Sequence, residues 1–143
     1  MESEDHVVQL VDDDRMQRHW ETYSAMILTG LERSPNRSDN ILRVMDALAN
    51  DEAHIIEIVR DGQILACAVI EMVKRKDHRR WVNVWVMGGS GMDDWLSDFL
   101  QHLTGIAVER GAAGVMCGGR VGWERRLAAY GWKREHVLME KKL

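Results

Sequence analysis

The feature of this sequence that most constrains its fold is a predicted strand that meets a long helix across a glycine-rich turn. Residues 81–103 read WVNVWVMGGSGMDDWLSDFLQHL. The first seven are rich in β-branched and aromatic residues, as strands are, and from Met92 the apolar residues recur at the spacing of an amphipathic helix. Because the first amides of a helix have no partner within it, such a junction favours an anion.

The remaining sequence predicts one domain with the element order β-α-α-β-β-β-α-β-α-β. Its 143 residues suit a single core. An Asp-Gly pair at residues 61–62 indicates a hairpin within a three-stranded meander, and a strand-helix-strand succession is joined in parallel and right-handedly. The fold class is therefore α/β (α+β), with a mixed, mostly antiparallel sheet and helices on both faces. The predicted strands are 7–11, 54–59, 63–73, 81–87, 112–117 and 136–140; the helices run from 12 to a stop at Gly30, and over 41–49, 92–110 and 121–130.

The composition of the chain limits which ligands and which cellular compartment are expected. The net charge of −4 gives no reason to expect a nucleic-acid ligand, which usually requires a basic domain or stripe. No apolar run approaches the ~18 residues of a membrane span, and the acidic start MESEDHVVQLVDDD is unlike a secretory signal. Cys67 and Cys117 lie in apolar runs and are expected to be reduced core thiols of a cytoplasmic protein. The histidines and cysteines show no metal-ligand spacing, so no metal is expected.

The element order resembles the GCN5-related N-acetyltransferase (GNAT) fold over nearly the whole chain. Two segments carry the resemblance: the strand, turn and helix of residues 81–103, and the tail RVGWERRLAAYGWKREHVLMEKKL, in which a short helix runs into Gly131-Trp132 and a last strand. The tail is also similar to those of short phage-encoded GNAT-like proteins. The resemblance implies an N-acetyltransferase that uses acetyl-CoA and an amine acceptor, in the host cytoplasm or a virion if phage-encoded.

By position, the resemblance assigns acetyl-CoA to the end of the strand and the turn that follows it. Two departures from the family pattern concern this turn. Val86 stands where the family usually has Arg or Gln, and Asp93 with Asp94 would repel a pyrophosphate. The alternative to a cofactor site is a capping box between Ser90 and Asp93 that binds nothing. The assigned residues are Val86, Met87, Gly88, Gly89, Ser90, Gly91 and Met92.

Candidates for proton transfer also depart from the family pattern. Leu127 stands where family enzymes often carry a tyrosine that protonates the leaving thiolate, which leaves Tyr130 as the candidate acid. Glu71 is the candidate base, and Glu57 on the preceding strand is a second carboxylate nearby. For both glutamates the alternative is a structural role on a strand with the side chain facing solvent.

Two other hypotheses do not require catalysis. The departures at the turn favour a non-catalytic GNAT-fold protein of a bacteriophage, which would act as a virion or assembly component through phage structural proteins or self-association. The basic hairpin between the second and third meander strands offers a surface for an acidic partner, as in an inhibitor of host machinery. A charged tip that keeps a sheet edge soluble explains that hairpin equally well. Its cations are Lys74, Arg75, Lys76, Arg79 and Arg80.

Overall fold

The computed structural model describes residues 6–33, 40–118, 121–135, 139 and 141–143. Its helices and strands follow the predicted succession, with one more helix near the start. Of the predicted last strand at 136–140 only Met139 is described, so that prediction lies outside the described residues. The elements are β1 (Val7–Leu10), α1 (Asp13–Arg18), α2 (Trp20–Arg33), α3 (Ile41–Ala49), β2 (Ala53–Arg60), β3 (Gln63–Lys74), β4 (Arg80–Gly89), α4 (Met92–Glu109), β5 (Val115–Cys117) and α5 (Val121–Ala128).

The five described strands form one sheet in the order β1-β2-β3-β4-β5. The first four are antiparallel neighbours, and β5 joins β4 in parallel through the crossover helix α4. The predicted mixed, mostly antiparallel sheet is therefore confirmed. Among the helices of the described residues, none combines the length and the apolar character needed to cross a membrane.

Each face of the sheet has its own core, as alternation along a strand requires. On β3, Ala66, Ala68 and Ile70 face one core, whereas Cys67 and Val69 face the other. The first core is filled mainly by the apolar stripe of α4, including Trp95 and Phe99 in edge-to-face contact with centroids 6.1 Å apart. The second is covered by α2 and α3. Helices thus lie on both faces, as predicted.

The first predicted helix is in fact two helices, and Gly30 does not end the second. A turn at His19 separates α1 from α2, and α2 continues to Arg33. Gly30 lies where α2 crosses β4: a Cβ placed on it would be 2.4 Å from the Met87 carbonyl oxygen. The glycine is therefore explained by close backbone packing between helix and strand, a long-range contact that no local pattern displays.

A buried carboxylate joins α1 and α2 to the sheet. Glu57 on β2 is fully buried. It accepts hydrogen bonds from the Tyr23 hydroxyl at 2.7 Å, from the Gln9 amide at 2.7 Å, and from the Arg15 guanidinium. Burial alone would raise the pKa of Glu57, but the hydrogen bonds from Arg15, Gln9 and Tyr23 outweigh it and lower the pKa below its ordinary value.

Candidate functional site

A groove opens in the sheet because β4 and β5 pair over only three residues. Val82, Asn83 and Val84 pair with residues 115–117, after which β4 continues to Gly89 without β5. On its other side β4 stays paired with β3 as far as Gly89. The edge of β4 over residues 85–89 therefore faces away from β3 with no described strand beside it. We call this opening the β4–β5 groove.

A bulge in β4 decides which amides face the β4–β5 groove. The Val82 amide donates to Gly114 O at 3.0 Å on the β5 side, whereas the Ser90 amide donates to Leu65 O at 3.0 Å on the β3 side. Uninterrupted alternation would point both amides the same way. The register shift opposite Val69 and Ile70 inserts the extra residue that reverses the parity. Beyond the bulge, the Met87 amide is thus directed toward the groove, as is the Gly89 amide two residues later.

The walls of the β4–β5 groove are largely apolar and aromatic, and its volume is about 140 Å³. One wall comes from the end of α2, another from the first turns of α4, and the rest from the end of β5 and from α5. Four of the six tryptophans line it, which unites residues far apart in sequence. The described lining residues are Thr29, Gly30, Arg33, residues 84–89, Met92, Trp95, Phe99, Leu100, Cys117, Gly118, Trp123, Leu127 and Trp132.

The N-terminus of α4 lies at one end of the β4–β5 groove and has no side-chain cap. Its N-cap is Gly91, at a φ of 76°, and no side chain bonds to the first amides. The Ser90–Asp93 capping box, the alternative to a cofactor site at this turn, is therefore not formed. Asp93 instead forms an ion pair with Arg126, and Asp94 lies 3.9 Å from Arg60. Both carboxylates are largely exposed and each has a cation beside it, so the helix end remains available to an anion.

The structure brings most of the residues assigned to acetyl-CoA together. Five of them line the groove: Val86, Met87, Gly88, Gly89 and Met92. The other two shape the turn. Ser90 binds β3 through its amide and accepts a hydrogen bond from the Trp95 indole at 2.8 Å through its carbonyl, while Gly91 provides the left-handed conformation that starts α4. Their role in binding a cofactor stays a prediction.

The structure places both proton-transfer candidates outside the described lining. Glu71 is half-buried on β3 and accepts a hydrogen bond from the Asn83 amide at 2.9 Å. Tyr130 follows the end of α5 and is 47% exposed, because α5 ends at Ala128 rather than at residue 130. Leu127, in contrast, is buried and lines the groove. The catalytic roles of Glu71 and Tyr130 stay predictions. Glu57 is unsuited to act as a base, since its carboxylate is enclosed by its hydrogen-bond donors.

Sequence reasoning missed Arg33, Cys117 and Trp132 as groove residues. Arg33 belongs to a helix predicted to stop three residues earlier, and Cys117 was assigned to the core. Burial raises the pKa of the Cys117 thiol above its ordinary value. Trp123 on α5 also lines the groove. No signal in the local sequence distinguishes a core residue from one that lines a cleft in the core.

Several solved structures share this architecture, and their names describe acetyltransferases. A GNAT family acetyltransferase from Staphylococcus aureus matches with a TM-score of 0.68 at 8% identity, over 96% of this chain and 98% of that one. A predicted acetyltransferase from Clostridium acetobutylicum, solved with acetyl-CoA, matches with a TM-score of 0.68 at 15% identity, over 96% of both chains. An aminoglycoside acetyltransferase from an uncultured soil metagenomic sample matches with a TM-score of 0.71 at 13% identity, over 97% of this chain and 98% of that one.

No protein-family model matches the sequence, and no curated protein matches it. At identities this low the structural likeness shows the fold alone. The chain has the GNAT fold.

Proposed function

We propose that this protein is an N-acetyltransferase that binds acetyl-CoA in the β4–β5 groove and transfers the acetyl group to an amine. The observation that carries the proposal is the divergence of β4 from β5 after Val84, beside an α4 N-terminus without a side-chain cap. Together they offer an open strand edge and a helix end to one elongated, anionic ligand. The acetyltransferases that share the fold support the choice of acetyl-CoA, and one of them was solved with it.

The pyrophosphate of acetyl-CoA would bind at the turn between β4 and α4. The first amides of α4 lack a side-chain cap, and the helix dipole favours negative charge there. Glycines at 89 and 91 have φ values of 134° and 76°, which other residues rarely adopt. A Cβ on Gly89 would lie 2.4 Å from Ala66 on β3, so packing against β3 explains that glycine, and Gly91 supplies the left-handed N-cap of α4.

The pantetheine arm would lie along the open edge of β4. The amides of the pantetheine arm are spaced to hydrogen-bond with β4 as a neighbouring strand would, and the apolar walls suit the methylene groups of the arm. Acetyl-CoA supplies an activated thioester, from which an amine forms an amide while the CoA thiol is released. The Met87 amide, directed into the groove beyond the bulge, would donate a hydrogen bond to the acetyl oxygen. Because negative charge develops on that oxygen during attack, the donor stabilises the transition state.

Proton transfer would depend little on the walls of the groove. Among the described lining residues there is no Asp, Glu or His, so the amine must lose its proton to water or to a group beyond the walls. Glu71, as a group beyond the walls, stays the candidate base, and Tyr130 stays the candidate acid. Holding the amine against the thioester contributes much of the rate without either of them.

A second candidate function is a non-catalytic GNAT-fold protein. The observation that favours it is Leu127, a buried groove residue at the position where the resemblance places an acid. A bacteriophage origin and a virion or assembly role belong to this alternative. It predicts that the protein self-associates or binds phage structural proteins and that it transfers no acetyl group.

A transfer assay tests the proposed function. The purified protein is incubated with acetyl-CoA and a broad amine panel, and CoA thiol release is followed together with acetyl-amine mass. We expect amine-dependent thiol release that matches the acetylated product mole for mole. Glu71→Gln and Tyr130→Phe, assayed in parallel, show whether either side chain moves a proton. Tight acetyl-CoA binding without transfer to any amine would favour the non-catalytic candidate.

Neutralising both aspartates at the start of α4 is expected to tighten acetyl-CoA binding. In the Asp93→Asn, Asp94→Asn variant, two negative charges are removed beside the proposed pyrophosphate site, and the Arg126–Asp93 and Arg60–Asp94 pairs lose their negative member. Exposed pairs of this kind are worth up to about 1 kcal/mol, so we expect a gain of about fivefold in affinity. Calorimetric titrations at low and high salt measure it, and the gain should shrink with salt. Weaker binding in the variant would place the phosphates elsewhere.

Acetyl-CoA is expected to protect Cys117 from alkylation. Cys117 lines the groove, whereas Cys67 is fully buried on β3 and its burial, with the charge of Glu57, raises its pKa to about 12. Cys117 should therefore react faster with iodoacetamide than Cys67 does. The raised pKa of Cys117 still keeps its reaction slow at neutral pH. Peptide mass mapping with and without saturating acetyl-CoA measures the rates, and Cys117→Ala is the control. Equal rates with and without acetyl-CoA would contradict this placement.

A further inference from the structure

The described lining of the β4–β5 groove contains a single charged side chain, that of Arg33. Thr29 and Cys117 are its other polar side chains apart from the tryptophan indoles, and the remaining residues are glycine or apolar. Within the described residues no hydrogen bond or ion pair occupies the Arg33 guanidinium. Arg33 is an exposed residue that lines the groove, so its charge is open to an anionic ligand.

The crossing of α2 over β4 determines which end of the groove Arg33 occupies. A Cβ on Gly88 would be 2.0 Å from the Met26 carbonyl oxygen, and one on Gly30 would be 2.4 Å from the Met87 carbonyl oxygen. From Met26 to Gly30, α2 therefore runs along β4 from Gly88 toward Met87, that is, toward the start of the strand. Arg33 lies about 4.5 Å further along the helix axis, in the direction of the bulge and of Trp85. The proposed pyrophosphate site at Gly91 lies at the opposite end.

We infer that the acceptor is a small amine that also carries an anionic group, a carboxylate or a phosphate, and that Arg33 binds that anion. The inference rests on the proposed function, because it takes the bulge end of the groove as the place of acetyl transfer. A guanidinium presents a planar fork that matches both anions with two hydrogen bonds. Polycationic acceptors are disfavoured, because the described lining offers them no carboxylate.

The same arrangement helps the acceptor amine to react. An apolar wall disfavours an ammonium group and so lowers its pKa. The acceptor's own anion compensates the guanidinium charge of Arg33, so the apolar wall is what favours a neutral, nucleophilic amine next to the bulge. Trp85, which lines the groove at the bulge, offers a flat apolar surface to the body of the acceptor.

Matched acceptors and matched arginine variants test the inference. The panel pairs amino acids with their amides, and amino-sugar phosphates with the unphosphorylated sugars, each compared at equal concentration of free base. We expect the wild-type protein to prefer the anionic member of at least one pair by tenfold or more in kcat/KM. Arg33→Met should remove that preference mainly through KM, Arg33→Lys should restore part of it, and the carboxylate and phosphate pairs show which anion is used.

Two controls separate this inference from the proposed function. Arg110→Met removes an exposed cation at the C-cap of α4, outside the described lining of the groove, and it should change nothing. Acetyl-CoA affinity, measured by calorimetry, should be the same in the wild type, in Arg33→Met and in Arg110→Met. If acetyl-CoA binds and the anionic amines are acetylated no better than the neutral ones, or not at all, the inference is overturned while the cofactor site stands. If Arg33→Met weakens acetyl-CoA itself, Arg33 binds the cofactor and the inference is also overturned.

Discussion

Replacing Glu57 with alanine is expected to lower the free energy of unfolding by about 3–5 kcal/mol, the range for breaking a buried ion pair by removing one partner. Glu57 is fully buried, and its carboxylate accepts hydrogen bonds from three side chains on three different elements. Alanine would leave the Arg15 guanidinium, the Tyr23 hydroxyl and the Gln9 amide without their acceptor. Urea unfolding of both proteins at neutral pH measures the loss.

Two further variants show whether the charge of Glu57 causes that loss. Glu57→Gln keeps the shape but not the charge, so its loss should be intermediate. Asp14→Asn, which removes an exposed carboxylate 3.0 Å from Arg18 on α1, should cost less than about 0.5 kcal/mol. A loss no larger in Glu57→Ala than in Asp14→Asn would mean that the buried network does not hold α1 and α2 to the sheet.

The contribution of Glu57 should also fade in acid. Its folded pKa is lowered from the ordinary value, so the unfolded chain takes up a proton at a higher pH than the folded one does. The stabilisation is therefore complete above the unfolded pKa of about 4.3 and is lost as the pH falls below it toward the folded pKa. The difference in stability between wild type and Glu57→Gln should shrink on acidification, and a difference that grows would have the wrong sign.

Replacing Gly88 with alanine is expected to destabilise the protein by about 3 kcal/mol or more, at the upper end for overpacking. The added Cβ would lie 2.0 Å from the Met26 carbonyl oxygen, closer than any real contact. The obstacle is the backbone of α2, so no side chain can rotate out of the way. The helix would have to move off β4, and the groove wall formed by Thr29, Gly30 and Arg33 would move with it.

Gly105→Ala is the matched control for this prediction. Gly105 lies on the exposed side of α4, where a Cβ would have no described atom within 4 Å. Alanine there should stabilise the protein by about 1 kcal/mol, because it favours the helix over the unfolded chain. If Gly88→Ala is as stable as the wild type in urea unfolding, α2 does not lie directly on β4.

Elements with a local signal could be read from the sequence. The apolar stripe from Met92 to Ala107 predicts α4, and Asp-Gly at 61–62 predicts the β2–β3 hairpin. Both are confirmed. The strand before α4 was predicted to end at Met87 but takes in Gly88 and Gly89, since β3 continues to pair with them. The sequence pattern predicts a chain break at Gly88, whereas this glycine lets the backbone of α2 pack closely against β4. Only the tertiary contact distinguishes these two roles of glycine.

The residues of the candidate site likewise fall into those with a local signal in the sequence and those placed by long-range contacts. The turn of residues 86–92 was predicted as a unit because strand, glycines and helix are contiguous. Arg33, Cys117, Trp123 and Trp132 come to the groove from other elements, and their placement depends on the β4 bulge and on where β5 stops pairing. The expected conflict between Asp93 and a phosphate also changes, because Arg126 reaches it from α5. Long-range ion pairs of this kind leave no trace in the local sequence.

Calorimetric titration of acetyl-CoA into the wild type, Gly118→Leu and Gly105→Leu tests the central claim most directly. Gly118 lines the groove with no described atom within 4 Å of its Cβ position, so leucine there should fill the groove without disturbing the fold. We predict one saturable site in the wild type and in Gly105→Leu, with about 2.7 kcal/mol of added stability at 100 times the dissociation constant, and its loss in Gly118→Leu. No heat and no added stability at millimolar acetyl-CoA in the wild type would contradict the account.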